Sequence, residues 1–422
     1  MTGEPLTART APRTEPAVPV AGRWVALFAT AWLGVWMAQL TPIQLLLPAQ
    51  IETLLNSGYW VDNVLWFGVV SGVSGVCAIV AYPLTGALSD RTTSRFGRRR
   101  PWVAGGALLF ALALLVLGMQ TTMVGVAICW SLALTGFCVL TAALTAMISD
   151  QVPVGQRGYV SGWMSAPQAI GVILGLVLVV ILGLGTFGGY ALAAVAVAAL
   201  VAPFLLAVPD PRHRAHGLPP LTARNIAAEL WIPLRAHPDF GWTLLSRVLV
   251  NLSNAFGTSL LLYFLEFGLH DAHAEDDLIP VVLVYMVFVI VASLAFGGLS
   301  DRLARRKRFV FVASAVQALA ALLLAAFPSM SMVFVGSALL GLGYGCFLSV
   351  DQALATQVLP DPETRGKDLG IMNIAWAIPQ AFGPLLGGVV VFWAGGFTGL
   401  FLLSGLAALC GALAVSRVRS VK

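Results

Sequence analysis

Gly86-Ala-Leu-Ser-Asp-Arg91 returns 211 residues later as Gly297-Gly-Leu-Ser-Asp-Arg302. Pro167-Gln-Ala169 returns as Pro379-Gln-Ala381, and Arg157-Gly158 returns as Arg365-Gly366. Three matches in one order, spaced by roughly half of the 422 residues, read as an internal duplication. In each copy the first motif ends an apolar run and opens a basic loop, so it marks a helix leaving a membrane. Working outward from it, twelve apolar stretches reach or approach the length that crosses hydrocarbon about 30 Å thick as a helix. They fall at 24–47, 64–88, 102–119, 123–149, 158–183, 188–207, 241–266, 279–299, 309–327, 332–358, 369–393 and 397–415. Short turns near Gln120 and between Gly183 and Gly189 must cut runs that would otherwise be continuous.

Composition agrees. Hydrophobic residues make up 59% of the chain and charged residues 10%, with mean hydropathy +0.89. A soluble domain carries about 25% charged residues, so the main solvent of this chain is lipid. Cys77, Cys129, Cys138, Cys346 and Cys410 all fall in apolar stretches with no C-x-x-C or histidine-containing cluster. Neither a disulfide framework nor a metal site is expected. Residues 1–20 are rich in Pro, Thr and Ala without an apolar core, and read as a loose tail.

The bases set the orientation. With the N-terminus inside, the inner segments hold 23 of the 24 Lys and Arg residues, and the last, Arg247, lies within a span. Glu52, Asp62, Asp271, Glu275, Asp276 and Asp277 occupy the outer loops. This is the positive-inside pattern of a plasma (inner) membrane protein with both termini cytoplasmic. It also explains a pI of 9.1 without nucleic acid as a partner, because basic loops face anionic lipid. The expected fold class is an all-α polytopic membrane protein of twelve helices in two pseudo-symmetric six-helix bundles. The divisions are a tail (1–20), a first bundle (21–207), a cytoplasmic linker (208–240), a second bundle (241–415) and a tail (416–422). A short amphipathic helix is expected in the linker near 221–234.

Two six-helix halves on a linker are a secondary-transporter architecture, and the loop Gly86-Ala-Leu-Ser-Asp-Arg-Thr-Thr-Ser-Arg-Phe-Gly-Arg-Arg-Arg-Pro-Trp102 carries a family resemblance. Over its whole length the sequence resembles the major facilitator superfamily, whose loop motif is G-x-L-x-D-R followed by G-R-R. The longer form here resembles the branch of glycoside-pentoside-hexuronide:cation and sucrose/proton symporters. The resemblance implies alternating access, with a latch made by Gly86, Asp90, Arg91, Arg95, Arg98 and Arg99. Asp301 and Arg302 are its second-half copy, in a shorter loop that lacks the glycine of Arg-Phe-Gly. The plainer reading of these arginines is that they only set topology.

Two charged residues lie well inside the spans. Arg247 is about 10 Å into span 7, and Asp351 stands at a similar depth in span 10. A charge in hydrocarbon needs a partner or water, so the two are expected to pair or to share a hydrated cavity. Asp351 is then a candidate coupling acid and Arg247 its modulator; a static clamp between two helices is the competing reading. Arg247, Asn251, Asn254 and Thr258 share one helical face. Gln168 and Gln380, each after a proline, stand near the middle of spans 5 and 11, where an amide can both donate to and accept from a hydroxylated solute. Gln39, Trp130, Tyr344 and Trp376 complete a candidate cavity wall, against the reading that such aromatics only pack.

No P-loop and no catalytic cluster suggests an enzyme, and no cofactor is expected. The expected partners are a small solute, a coupling ion (the proton) and the bilayer, and a monomer suffices because each chain encloses one pathway. Symport of a sugar or similar polar solute leads. A proton-coupled exporter of a drug-like compound is the alternative: Gly383-Pro-Leu-Leu-Gly-Gly388 resembles an exporter element, although exporters carry theirs in span 5. A non-transporting membrane sensor is the third.

Overall fold

The computed structural model describes residues 16–55, 60–211, 232, 234–361, 364–393 and 395–421. The described residues form twelve helical rods: α1 (Gly22–Leu55), α2 (Trp60–Asp90), α3 (Arg100–Leu117), α4 (Met123–Gln151), α5 (Arg157–Ile181) and α6 (Thr186–Ala207), then α7 (Pro238–Ser259 with Leu261–Gly268), α8 (Ala274–Leu303), α9 (Arg306–Ala326), α10 (Met330–Ala355), α11 (Arg365–Trp393) and α12 (Gly396–Ser416). Ten are long and apolar enough to cross a membrane, and α7, bent by 49° at Leu260, is long and apolar enough when its two segments are taken as one span. The remaining rod, α11, has 29 residues and a charged first turn.

Local chemistry places the ends. Thr122 Oγ1 accepts from Gly125 N at 3.1 Å to start α4, and Ser329 Oγ accepts from Met332 N at 3.4 Å to start α10. Gly183 turns the chain between α5 and α6 at φ +58°, a conformation that suits a residue without Cβ. Inside α1, Pro42 opens a π-helical turn over Pro42–Leu46, since its ring nitrogen has no hydrogen to donate. Neither that turn nor the bend in α7 is visible in the apolar lengths.

Small residues set the packing, as expected where no hydrophobic force separates helix from lipid. A Cβ on Gly106 of α3 would stand 2.5 Å from Leu140 N of α4, and one on Gly341 of α10 would stand 2.4 Å from Tyr285 O of α8. Both described ends of the chain lie on the basic-loop side. Val20 N donates to Gln156 Oε1 at 2.9 Å, and Lys307 Nζ donates to Val418 O at 2.6 Å. The N-terminal tail and the linker helix expected near 221–234 fall almost wholly outside the described residues.

The halves meet where the duplicated motifs stand. Gly86 of α2 faces Gly366 of α11 so closely that a Cβ would lie 2.0 Å from Gly366 O. Gly158 of α5 faces Gly297 of α8 at 2.5 Å by the same measure. The pairing is reciprocal: the first half's copy of one motif docks on the second half's copy of another.

Candidate functional site

The membrane interior holds a cavity lined from both halves. One wall is aromatic: Trp32, Trp36, Tyr82 and Phe137 with Trp376 of α11. Trp36 and Trp376 rings are 5.5 Å apart, edge to face, and Phe137 is 6.1 Å from Trp376. Trp36 is fixed by donating Nε1–H to Met164 O at 3.1 Å. The other wall is polar: Arg247, Asn251, Asp351 and Gln352, with Thr141, Gln168 and Asn373 also in the lining. The free space is about 50 Å³, enough for a few waters. A solute therefore enters only when this space widens.

Arg247 Nε lies 2.8 Å from Asp351 Oδ2, and Arg247 Nη2 donates to Gln352 Oε1 at 2.8 Å. Arg247 and Asp351 are 6% and 4% exposed, so the pair is shielded from bulk water. Asn251 donates Nδ2 to Arg247 O at 2.7 Å and accepts from Tyr344 Oη at 3.0 Å. Asn254 accepts from Tyr285 Oη at 3.0 Å. The polar face of α7 thus reaches α8 and α10, and through Arg247 it reaches the cavity.

Below the cavity the two halves are zipped on the basic-loop side. Asp90 accepts from Gly366 N at 3.0 Å and Lys367 N at 2.9 Å, capping α11 from the other half. Asp301 accepts from Gly158 N at 3.0 Å and Tyr159 N at 2.8 Å, capping α5 in return. A carboxylate at a helix N-terminus meets unpaired N–H groups and the positive end of the dipole. Arg98 and Arg99 pair with Asp90, and Arg99 Nε reaches Asp150 at 2.8 Å. Arg99 N and Arg100 N donate to Asp210, at 2.5 and 3.0 Å, so the chain leaving α6 caps α3. Burial pushes the Asp210 carboxyl above its ordinary range, while those two N–H groups and Arg99 pull it back. Arg157 and Arg365 both donate to Ser149 O, at 3.2 and 2.7 Å. Asn373 Nδ2 donates to Thr145 Oγ1 at 3.2 Å at the cavity floor.

The sequence candidates divide accordingly. Arg247, Asp351, Asn251, Gln168 and Trp376 line the cavity together. Tyr344 and Asn254 stand behind it, Tyr344 on Asn251 and Asn254 on Tyr285. Gln380 is exposed and outside the enclosed space, on the α11 face of Asn373 and Trp376, at i+7 and i+4. Gln39 is buried one turn from Trp36, with Oε1 unpartnered in the structure. Trp130 needs correcting: it is 1% exposed within the apolar core of the first half, and it packs there instead of lining the cavity. Among the latch candidates Gly86, Asp90, Arg98, Arg99 and Asp301 converge at the zipped ends. Arg91 bonds Ala87 O of its own helix, and Arg95 stacks on Phe96 with its Cζ 4.6 Å from the ring. Arg302 is exposed; Arg306, unassigned from sequence, pairs with Asp301 at 2.6 Å instead. One turn of helix separates the two positions, and the shorter second loop turns at Ala304 (φ 48°) before Arg306 opens α9. Trp32, Trp36, Tyr82 and Phe137 also went unassigned, since aromatics in apolar helices carry no signal of which face they take.

The family model for the Major Facilitator Superfamily matches residues 63–276 and 248–422. Multidrug resistance protein MdtG of Serratia proteamaculans is 29% identical over 155 residues, 36% of this chain and 36% of that protein. Multidrug resistance protein 3 of Bacillus subtilis is 28% identical over 126 residues, 28% of this chain and 23% of that protein. The match thus spans about a third or less of the length of these curated relatives. Among solved structures, the human organic anion transporter MFSD10 (TETRAN) superposes with TM-score 0.75 at 17% identity, over 93% of this chain and 99% of that one. The proton:xylose symporter XylE, bound to 6-bromo-6-deoxy-D-glucose, gives 0.71 at 14%, over 95% and 97%. At such identities the structures speak for the fold alone, but the sequence match covers both halves: the chain belongs to the Major Facilitator Superfamily.

Proposed function

We propose that this transporter is a proton-coupled symporter of a sugar or similar polyhydroxylated solute, with its basic-loop side at the cytoplasm. The observation that carries the reading is the buried Arg247–Asp351 pair in the wall of a cavity otherwise lined by neutral amides, hydroxyls, aromatic rings and the apolar side chains of Met164 and Leu348. A sugar ring presents an apolar face that stacks on indole and a rim of hydroxyls that both donate and accept. Trp36 and Trp376 supply the first surface, and Gln168, Asn251 and Asn373 the second. Asp351 supplies the coupling. In the solute-free cavity Arg247 occupies the carboxylate; when solute draws the guanidinium away, a proton takes its place on Asp351, because a lone buried charge is costly. Proton and solute then bind in mutual support, and such linkage is what a symporter requires.

The second reading is a proton-coupled exporter of a drug-like compound, supported by the resemblance of about a third of the chain to multidrug resistance proteins. The same aromatic wall accepts a lipophilic guest, and the same ion pair works in exchange. Purified protein in proteoliposomes separates the two. Counterflow of a labelled disaccharide, stimulated by a proton gradient, supports symport; gradient-driven extrusion of lipophilic dye without sugar flux overturns it in favour of export. No flux of any solute across a panel of sugars and dyes supports the third reading, a sensor. Under the leading reading Gln168→Ala and Trp376→Ala each raise the KM for solute about tenfold, the loss of one good polar or stacking contact in a dry site, with kcat within about twofold. An unchanged KM in both variants counts against this cavity as the solute site.

A further inference from the structure

Gln352, next to Asp351 in α10, lines the same cavity and is 1% exposed. Its Oε1 accepts from Arg247 Nη2 at 2.8 Å, which leaves Nε2 as the amide's donor. Among the described residues neither Gln352 Nε2 nor Arg247 Nη1 meets an acceptor, and both atoms are shielded from solvent. Asn251, one turn along α7, differs: it donates to Arg247 O and accepts from Tyr344 Oη, at 2.7 and 3.0 Å. Leaving a buried donor unpaired is costly, and here two belong to groups already joined by a hydrogen bond. The second half thus offers a linked pair of spare donors beside the ion pair. The first half lines the cavity with Gln168, whose Oε1 is an unpartnered acceptor.

We propose that the solute carries a carboxylate, which binds Arg247 and Gln352, and that each anion crosses with one proton on Asp351. The inference rests on the symport reading and names its substrate class: a hydroxylated monocarboxylate, a sugar acid. Charge decides this. In the empty cavity Arg247 and Asp351 cancel. A neutral hydroxyl that parted them would leave two buried charges alone, at a cost that one hydrogen bond does not offset. A carboxylate parts them without that cost, because it replaces Asp351 on the guanidinium charge for charge. Arginine's planar fork suits two carboxylate oxygens, and Gln352 Nε2 adds a further donor. Asp351, released, takes a proton from water. The anion and the proton carry equal and opposite charges, so the loaded cavity is neutral, as the empty one is, and no net charge crosses. The hydroxylated remainder of the solute meets Gln168 and the indoles as a neutral sugar would.

The full chain in proteoliposomes is given labelled sugar acids, each beside its neutral parent: glucuronate with glucose, galacturonate with galactose, lactobionate with lactose. Under an inward proton gradient at least one acid is expected to accumulate, with a KM about tenfold below its parent's. With equal pH on both sides, a membrane potential of either sign is expected to drive no accumulation of it. Parents that accumulate as well as their acids, or accumulation driven by potential alone, overturn the proposal and leave symport standing. No flux of acid or parent removes the symport reading and the proposal with it. In lightly buffered detergent, binding of the transported acid is expected to take up about one proton per site, and Asp351→Asn to abolish the uptake. Binding to the native chain without proton uptake overturns the coupling. Gln352→Met, close in shape, is expected to weaken the acid about tenfold and the parent, followed by exchange without a gradient, less than about twofold. Equal losses for both make Gln352 structural and remove it from the solute site.

Discussion

Asp351→Asn is expected to lower proton-driven accumulation of solute about a hundredfold, toward the upper end of ordinary coupling free energies. Solute exchange across membranes without a gradient falls far less. The amide keeps the shape of the side chain and loses the proton site. It also strands Arg247, whose Nε lies 2.8 Å from the carboxylate and whose surroundings exclude bulk water. Removing one partner of a buried ion pair destabilises by about 3–5 kcal/mol, whereas neutralising both is often tolerated. Arg247→Gln added to Asp351→Asn is therefore expected to recover most of the lost thermal stability and none of the coupling. The two readouts separate a clamp from a coupling acid. If Asp351→Asn accumulates solute normally under a proton gradient, the acid is a clamp and the proton travels elsewhere.

The second large effect concerns the zipper. A Cβ on Gly86 would sit 2.0 Å from Gly366 O, and that contact is backbone against backbone, with no flexible side chain to give way. Gly86→Ala forces α2 and α11 apart in the zipped state and costs that state about 1–3 kcal/mol, in the range of other overpacking substitutions. Unzipping relieves the strain, so the expense falls on one conformation and leaves folding nearly untouched. The zipped population is expected to drop by about 5- to 150-fold relative to the open one, and turnover to fall with it. Gly158→Ala, opposite Gly297 O at 2.5 Å, is its counterpart across the pseudo-symmetry. Reaction of a water-soluble thiol reagent with a cysteine buried under the zipper measures the shift. Gly155→Ala, with nothing within 4 Å, is the control expected to change nothing. Equal reactivity in Gly86→Ala and the control removes the argument that these glycines exist for close approach.

What could be read without coordinates follows from the forces that act along one chain. Apolar length and the sidedness of bases are properties of a helix in lipid, so the rods and their ends are legible to within about five residues, except that α1 runs on past 47 to Leu55 and takes in Glu52, expected in an outer loop. Depth made Arg247 and Asp351 conspicuous, because hydrocarbon tolerates neither alone. The recurrence of Gly86–Arg91 and Arg157-Gly158 was visible as repetition, but not that each motif docks on the other's copy in the opposite half. That requires the pseudo-twofold relation of two bundles, which no local preference encodes. The same limit hid Arg306: a turn at Ala304 redirects the chain, and the third-dimension neighbour of Asp301 comes four residues after Arg302. Trp130 misled because an indole in an apolar helix packs in a core as readily as it lines a cavity, and only the neighbouring rods decide which.

The central claim is that the two halves rock about the Arg247–Asp351 cavity, between a state zipped on the basic-loop side and one that is open there. Its most direct test is the distance between spin labels on Thr93 and Leu303, exposed positions at the basic ends of α2 and α8, in an otherwise cysteine-free protein. The account predicts one short population in the absence of solute. With solute bound at a pH low enough to protonate Asp351, a second, longer population should appear, and Asp351→Asn should remove its dependence on pH. A distance distribution that stays the same under every condition, in protein that still transports, would contradict it.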